Sequence, residues 1–176
     1  KLPKEVLTAY EGNGTTDVIL GHSINSLYGY VADGLFQNET EVAEHAEQVG
    51  AGVGRIRYKN LNNDDVIDDK DRKYITDGIP KIMYGLNLGF TYKDFSLSMF
   101  FQGVYGLDVY NSLKRYTDFT SLESGVNYGT RTLEAWTPTN TSSTIPMLSM
   151  VNANDEGRQS TYFLENGSYL KLRNIQ

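Results

Sequence analysis

Asn60, Asn62, Asp64, Val66, Asp68 and Asp71 stand at the first, third, fifth, seventh, ninth and twelfth positions of a calcium-binding loop counted from Asn60. Calcium takes about six to eight hard oxygen ligands, and this spacing wraps carboxylates, amide oxygens and one backbone carbonyl around a point. Ile67 occupies the apolar eighth position. Three departures weaken the pattern. Asn60 replaces a charged first ligand, Asp65 stands where glycine normally takes the sharp turn, and Asp71 is shorter than the usual bidentate glutamate. The segment reads as a solvated acidic turn of hairpin type in a protein that needs no cofactor, with a low-affinity calcium loop as the weaker candidate.

No other grouping suggests chemistry. His22 and His45 have no ligand partner three or four residues further along the chain, which reads as surface or lumen placement. The chain has no cysteine, so thiol nucleophiles, thiolate metal sites and disulfides are excluded. Nucleophile elbows, phosphate loops and zinc spacings are absent, and no carboxylate pair stands where split pKa values would serve acid–base work. The reading is therefore non-enzymatic. A net charge of −6 argues against nucleic acid, which needs a basic surface. The single tryptophan, Trp136 in AWTPTN, reads as a packed loop anchor, with a ligand platform as the alternative. The N-x-S/T triplets at Asn13, Asn38, Asn140 and Asn166 fit the Asn- and Thr-rich composition.

The elements that would hold these residues are mostly strands. In KIMYGLNLGFTYKDFSLSMFFQG, one alternate set is Ile82, Tyr84, Leu86, Leu88, Phe90 and Tyr92; the other is Met83, Gly85, Asn87, Gly89 and Thr91. Phe95, Leu97, Met99 and Phe101 continue the apolar row, with Ser96, Ser98, Phe100 and Gln102 opposite. Alternation with period two defines strands with one greasy and one wet face, here 82–93 and 94–110, joined by a tight hairpin at Lys93-Asp94. Their length and pattern match bilayer-spanning strands, with Tyr84 and Tyr92 near the ends of the row where aromatic girdles belong. Soluble sandwich strands packed on a core are the alternative. No apolar run approaches the roughly 18 residues of a membrane helix.

Elsewhere, 15–36 reads as a strand region interrupted at Gly21 and Gly29. A short surface helix is expected over 39–49, started by an Asn38/Glu41 capping pair, with Val42, Ala46 and Val49 as its apolar stripe and Gly50 as its stop. RIRYKN and the segment after the acidic loop read as short strands. Residues 112–161 form a long Asn-, Thr- and Ser-rich loop with a helical turn at 130–135, and two strands flank a turn at Asn166-Gly167. The beginning, KLPKEVLTAYEG, lacks an apolar h-region, and the end, SYLKLRNIQ, stops inside a strand, so the chain reads as part of something longer.

Five ordered segments then carry a resemblance: INSLYGYVADGLFQNETEV, IRYKNLNNDDVIDDKDRKYI, IPKIMYGLNLGFTYKDFSLSMFFQGVYGLDVYN, EAWTPTNTSSTIP and FLENGSYLKLRNIQ. Together they resemble the C-terminal part of the SusC/RagA family of TonB-dependent outer-membrane transporters of Bacteroidetes. The resemblance implies an all-β fold: an antiparallel transmembrane β-barrel segment, part of a larger 22-stranded barrel, with long extracellular loops. It implies that 1–176 is a partial barrel domain, without the N-terminal plug and the final strands. It further implies placement in the bacterial outer membrane and import of oligosaccharides or peptides. The implied partners are a SusD-like surface lipoprotein, the TonB complex, the rest of the barrel and the lipid bilayer. A soluble all-β carbohydrate-binding module and a surface hydrolase domain are the competing classes.

Overall fold

The structure is a computed structural model that describes Ser23, 26–122, Gly125 and 127–176. His22, Asn13 and the first part of the 15–36 strand region lie outside the described residues. Nine strands are described: β1 (Leu27–Tyr30), β2 (Ala32–Leu35), β3 (Ile56–Tyr58), β4 (Arg72–Thr76), β5 (Ile82–Tyr92), β6 (Phe95–Tyr105), β7 (Asp108–Tyr110), β8 (Leu164–Asn166) and β9 (Tyr169–Ile175). Two short helices, α1 (Glu39–Glu44) and α2 (Lys114–Thr117), accompany them. All strand pairs are antiparallel: β1 with β4, β2 with β3, β7 with β8, and a three-stranded sheet in the order β5-β6-β9.

The hairpin forms as the alternation requires. Tyr92 pairs with Phe95 across the two-residue turn, and Lys93 takes a left-handed φ of 52° to close it. The ladder then runs unbroken to Ile82 opposite Tyr105. Paired residues share a face, so Ile82, Tyr84, Leu86, Leu88, Phe90 and Tyr92 lie beside Tyr105, Gly103, Phe101, Met99, Leu97 and Phe95. Strand β9 extends this face with Leu170 and Leu172. A bulge then skips Arg173, so Ile175 rather than Asn174 comes opposite Met99. Without that extra residue, the polar Asn174 would join the apolar face.

The other face carries Gly85, Asn87, Gly89, Thr91, Ser96, Ser98, Gln102, Lys171 and Asn174. Two glycines accept aromatic neighbours. Gly103 is buried beneath the Tyr84 ring, which occupies the space a Cβ would need, and Phe100 lies across Gly85 on the wet face. Strand β6 ends at Tyr105, short of the expected 110. Gly106 turns left-handed there (φ 69°), and the chain restarts as β7, which pairs with β8 fifty-odd residues later.

The hydrophobic core lies away from the long strands. Leu35, Ile56, Tyr58, Ile67, Phe119, Trp136 and Phe163 form one buried cluster drawn from 26–76 and 110–165, the two segments that precede and follow the hairpin. Residues 112–161, expected as an open loop, therefore fold into a cap. Phe119 and Tyr110 pack their rings on Phe163 at 6.0 and 5.5 Å, and Tyr162 meets Phe119 edge-on at 5.3 Å. The expected turn at 130–135 appears as a 3-10 helix over Thr130–Glu134.

Helix α1 starts as expected. Asn38 accepts from the Glu41 amide at 2.9 Å, and Glu41 reaches back to the Gln37 amide at 3.0 Å. It stops at Glu44 rather than continuing to 49. His45 becomes extended because β3 and the acidic loop claim the residues that follow. Glu47 bridges the loop, donating to the Asp65 carbonyl at 2.7 Å and accepting from Ile67 at 2.9 Å. Gln48 is buried against β3. Tertiary hydrogen bonds thus override a helical pattern whose apolar stripe was narrow, and Val49 is left 71% exposed.

Candidate functional site

Three features of the described residues bear on function: the apolar sheet face, the polar seam that holds the cap, and the acidic loop. On the sheet, every residue of β5 is exposed, on both faces. Leu88, midway along the strand, keeps 43% of its surface open, and Phe90 keeps 59%. A chain with only a soluble core would have no use for such a face, since contiguous apolar surface of this extent marks an interaction surface. Eleven residues at about 3.4 Å each, tilted by about 45°, rise roughly 25 Å, the height of the apolar band of a membrane barrel. Strands β5 and β9 are the outer strands of the sheet, with no further strand paired to them among the described residues. In lipid such edges require partners, so further strands must complete the sheet.

The cap is fastened by buried side chains that serve as a substitute strand along β3. Gln48 donates to the Ile56 carbonyl at 2.8 Å and accepts from the Tyr58 amide at 2.9 Å. Asn154 donates to the same Ile56 carbonyl at 3.0 Å and accepts from Gln48 at 2.6 Å. Glu156, 1% exposed, accepts from the Ile56 amide at 3.3 Å and pairs with Arg55 at 3.2 Å. Burial pushes the Glu156 carboxyl above the usual carboxylate range, and the Arg55 guanidinium opposes that shift. His45 is half-buried rather than a free surface or lumen residue. Its Nε2 donates to the Tyr58 carbonyl at 2.9 Å and its ring meets Phe36 edge-on at 5.2 Å.

Trp136 is a packed anchor. It is 3% exposed, and its indole N–H donates to Gln37 Oε1 at 2.9 Å. Gly54 (φ 77°) lets the backbone close onto the indole ring, where a Cβ would sit 2.6 Å from Cε3.

The acidic loop closes on itself. Asn60 accepts from the Asn63 amide at 2.7 Å, Asn62 from Asp64 at 3.1 Å, Asp64 from Val66 at 3.1 Å and Asp68 from Lys70 at 2.8 Å. Asp71 is fully buried, and its two oxygens accept from the Leu61 and Asp68 amides at 2.7 and 3.0 Å. The six sequence-selected positions are therefore brought into one turn, and the side-chain oxygens of five of them are engaged by the turn's own amides. Among the described residues no three His, Cys, Asp or Glu side chains converge on a common point.

The sheet and cap define a class: a segment of a β-barrel whose loops on one side are long and folded together. Comparison with known proteins places it further. The chain is 30% identical over 159 residues to TonB-dependent receptor P3 of Formosa agariphila, a match covering 88% of this chain and 15% of that protein. It is 27% identical over 165 residues to TonB-dependent receptor P26 of the same organism, covering 94% and 16%. A chain in the structure of the RagAB peptide transporter superimposes with a TM-score of 0.64 at 22% identity, over 94% of this chain and 17% of that one. No protein-family model matches. The chain matches a segment of these TonB-dependent receptors and shares the fold of the corresponding part of the RagAB transporter chain, and it spans about a sixth of the length of the curated relatives it matches.

Proposed function

We propose that this chain supplies lipid-facing strands and an extracellular cap to an outer-membrane transporter that imports oligosaccharides or peptides. The observation that carries the reading is the apolar face that runs unbroken across β5, β6 and β9, with its register kept by the bulge at Arg173. Short turns of such barrels lie on the periplasmic side and long loops outside, so Lys93-Asp94 is the periplasmic end and the cap faces the medium. The names of the relatives, receptor and peptide transporter, support uptake rather than catalysis. A surface lipoprotein that delivers ligand to the cap, with energy relayed by TonB through a plug outside this chain, completes the proposed mechanism. Cells that lack the gene should stop growing on the oligomeric nutrient while still growing on its monomers. Undiminished uptake of every oligosaccharide and peptide tested would remove the transport reading.

Calcium at Asn60–Asp71 is a further proposal, supported by the loop spacing. An ion there competes with the loop's own amides for the same oxygens, which favours low affinity. Calorimetry of the full receptor should show binding near about millimolar calcium, the weak end for such loops, and Asp64→Ala should abolish it. Asp71→Ala should loosen the loop with or without calcium, since it strands two amides at about 1–3 kcal/mol each where they are buried. No heat at millimolar calcium would leave the segment as a hydrogen-bonded turn alone.

A further inference from the structure

We propose that the cleft between β2 and the 141–144 loop is a subsite for a carboxylate on the transported molecule. This rests on the transport reading and adds the chemistry of one group that the ligand presents. The cleft has a volume of about 370 Å3, within the roughly 300–1,000 Å3 range of small-molecule sites, and it lies in the cap. Lys114 and Arg131 line it, together with Gln37, Tyr162 and the hydroxyl residues of 141–144, and no acidic residue does. That is notable in a chain of net charge −6. Two other clefts carry Asp77 and Asp108 in one case, and Asp33, Glu41 and Glu44 in another, while a third without acids also lacks cations.

Both cations are positioned rather than used up. Lys114 is buried, and its ammonium donates to the Tyr162 carbonyl at 2.9 Å and pairs with Glu165 at 3.2 Å. An ammonium has three donors, so one remains for a ligand. Arg131 is about half exposed, and its Nη2 stands 3.6 Å from Oδ2 of the fully buried Asp118. That contact is too long for a hydrogen bond, so the attraction steers the guanidinium without occupying its fork. Asp118 is itself held by the Tyr162 and Thr117 hydroxyls, each at 2.9 Å. The carboxylates thus stand behind the cations and fix them, while the cleft wall presents donors. A planar guanidinium with two free N–H groups matches a carboxylate in bidentate fashion, which favours this anion over a neutral hydroxyl.

The test uses the full receptor and paired probes: a short oligogalacturonate against its methyl ester, and a short peptide with a free C-terminus against its C-terminal amide. Ser142 is exposed on the cleft wall and makes none of the contacts that hold Asp118. Ser142→Glu should lower the charged-to-neutral binding ratio of the recognised pair about tenfold or more, the loss of one charge-assisted contact. Ser142→Gln, which adds comparable bulk without the charge, should shift both members of the pair alike and leave their ratio unchanged. Arg131→Gln should act like Ser142→Glu, and Arg131→Lys should restore part of the loss. Whichever pair shows the effect identifies the source of the carboxylate, a uronate or a peptide end. If the receptor binds its probes but Ser142→Glu leaves the charged-to-neutral ratio unchanged, the subsite is overturned and the transport reading stands. If gene deletion leaves uptake intact, both fall together.

Discussion

Arginine at Leu88 should lower the stability of the full receptor in a bilayer by about 2–4 kcal/mol, the penalty for a charge facing acyl chains near mid-depth. The same substitution at Asn87, its neighbour on the wet face, should change stability little. The discriminating variant is Leu88→Trp. Lipid yields to a larger apolar side chain at little cost, whereas a close-packed protein interior resists overpacking by typically 1–3 kcal/mol. Leu88 pairs with Met99 and keeps 43% of its surface open, so the structure provides no protein wall for the indole to strike. Folding into phosphatidylcholine vesicles, followed by heat-modifiable gel mobility, reads all three variants. Equal harm from Arg and Trp would mean that the greasy face packs against protein.

Trp136→Ala should cost the cap about 3–5 kcal/mol, the range for large aromatic truncations in a core. It removes the indole from the cluster with Leu35, Ile56, Phe119 and Phe163, and it strands Gln37 Oε1. Because the cap and the long strands draw on different residues, the loss should be local. Hydrogen exchange should rise across 110–165 and 26–76 while β5 and β6 keep their protection. A ligand platform would behave in the opposite way, losing binding without losing protection.

How much of this was readable beforehand depended on the range of the interactions. The hairpin was legible because its alternation runs for eleven residues on each side of a two-residue turn, a signal that no tertiary contact needs to supply. The Asn38/Glu41 cap was legible for the same reason, since both partners lie within one turn. The end of α1 was not. Gln48 leaves the helix for β3 and for Asn154, a partner more than a hundred residues away. The cap core was invisible locally, since Leu35, Ile56 and Phe163 each sit on a different short element and Trp136 lies in irregular chain, with no periodicity around them. The β7–β8 pair joins two three-residue strands across the whole cap. Of the acidic loop, spacing indicated that the six positions share one turn, but not that Asp71 would be buried as its internal strut.

The cap is closed by residues from both sides of the hairpin: Leu35, Ile56 and Ile67 before it, and Phe119, Trp136 and Phe163 after it. Its loops are therefore not interchangeable modules. A chimera that borrows 110–165 from a relative would bring Trp136 without the Gln37 it donates to, and Asn154 and Glu156 without the Gln48 and Arg55 they were matched with. The transplant unit is the pair of segments, carried together with the hairpin between them. Diversification of the cap must then proceed by compensated changes in two stretches that are separated along the chain by the hairpin and adjacent in space.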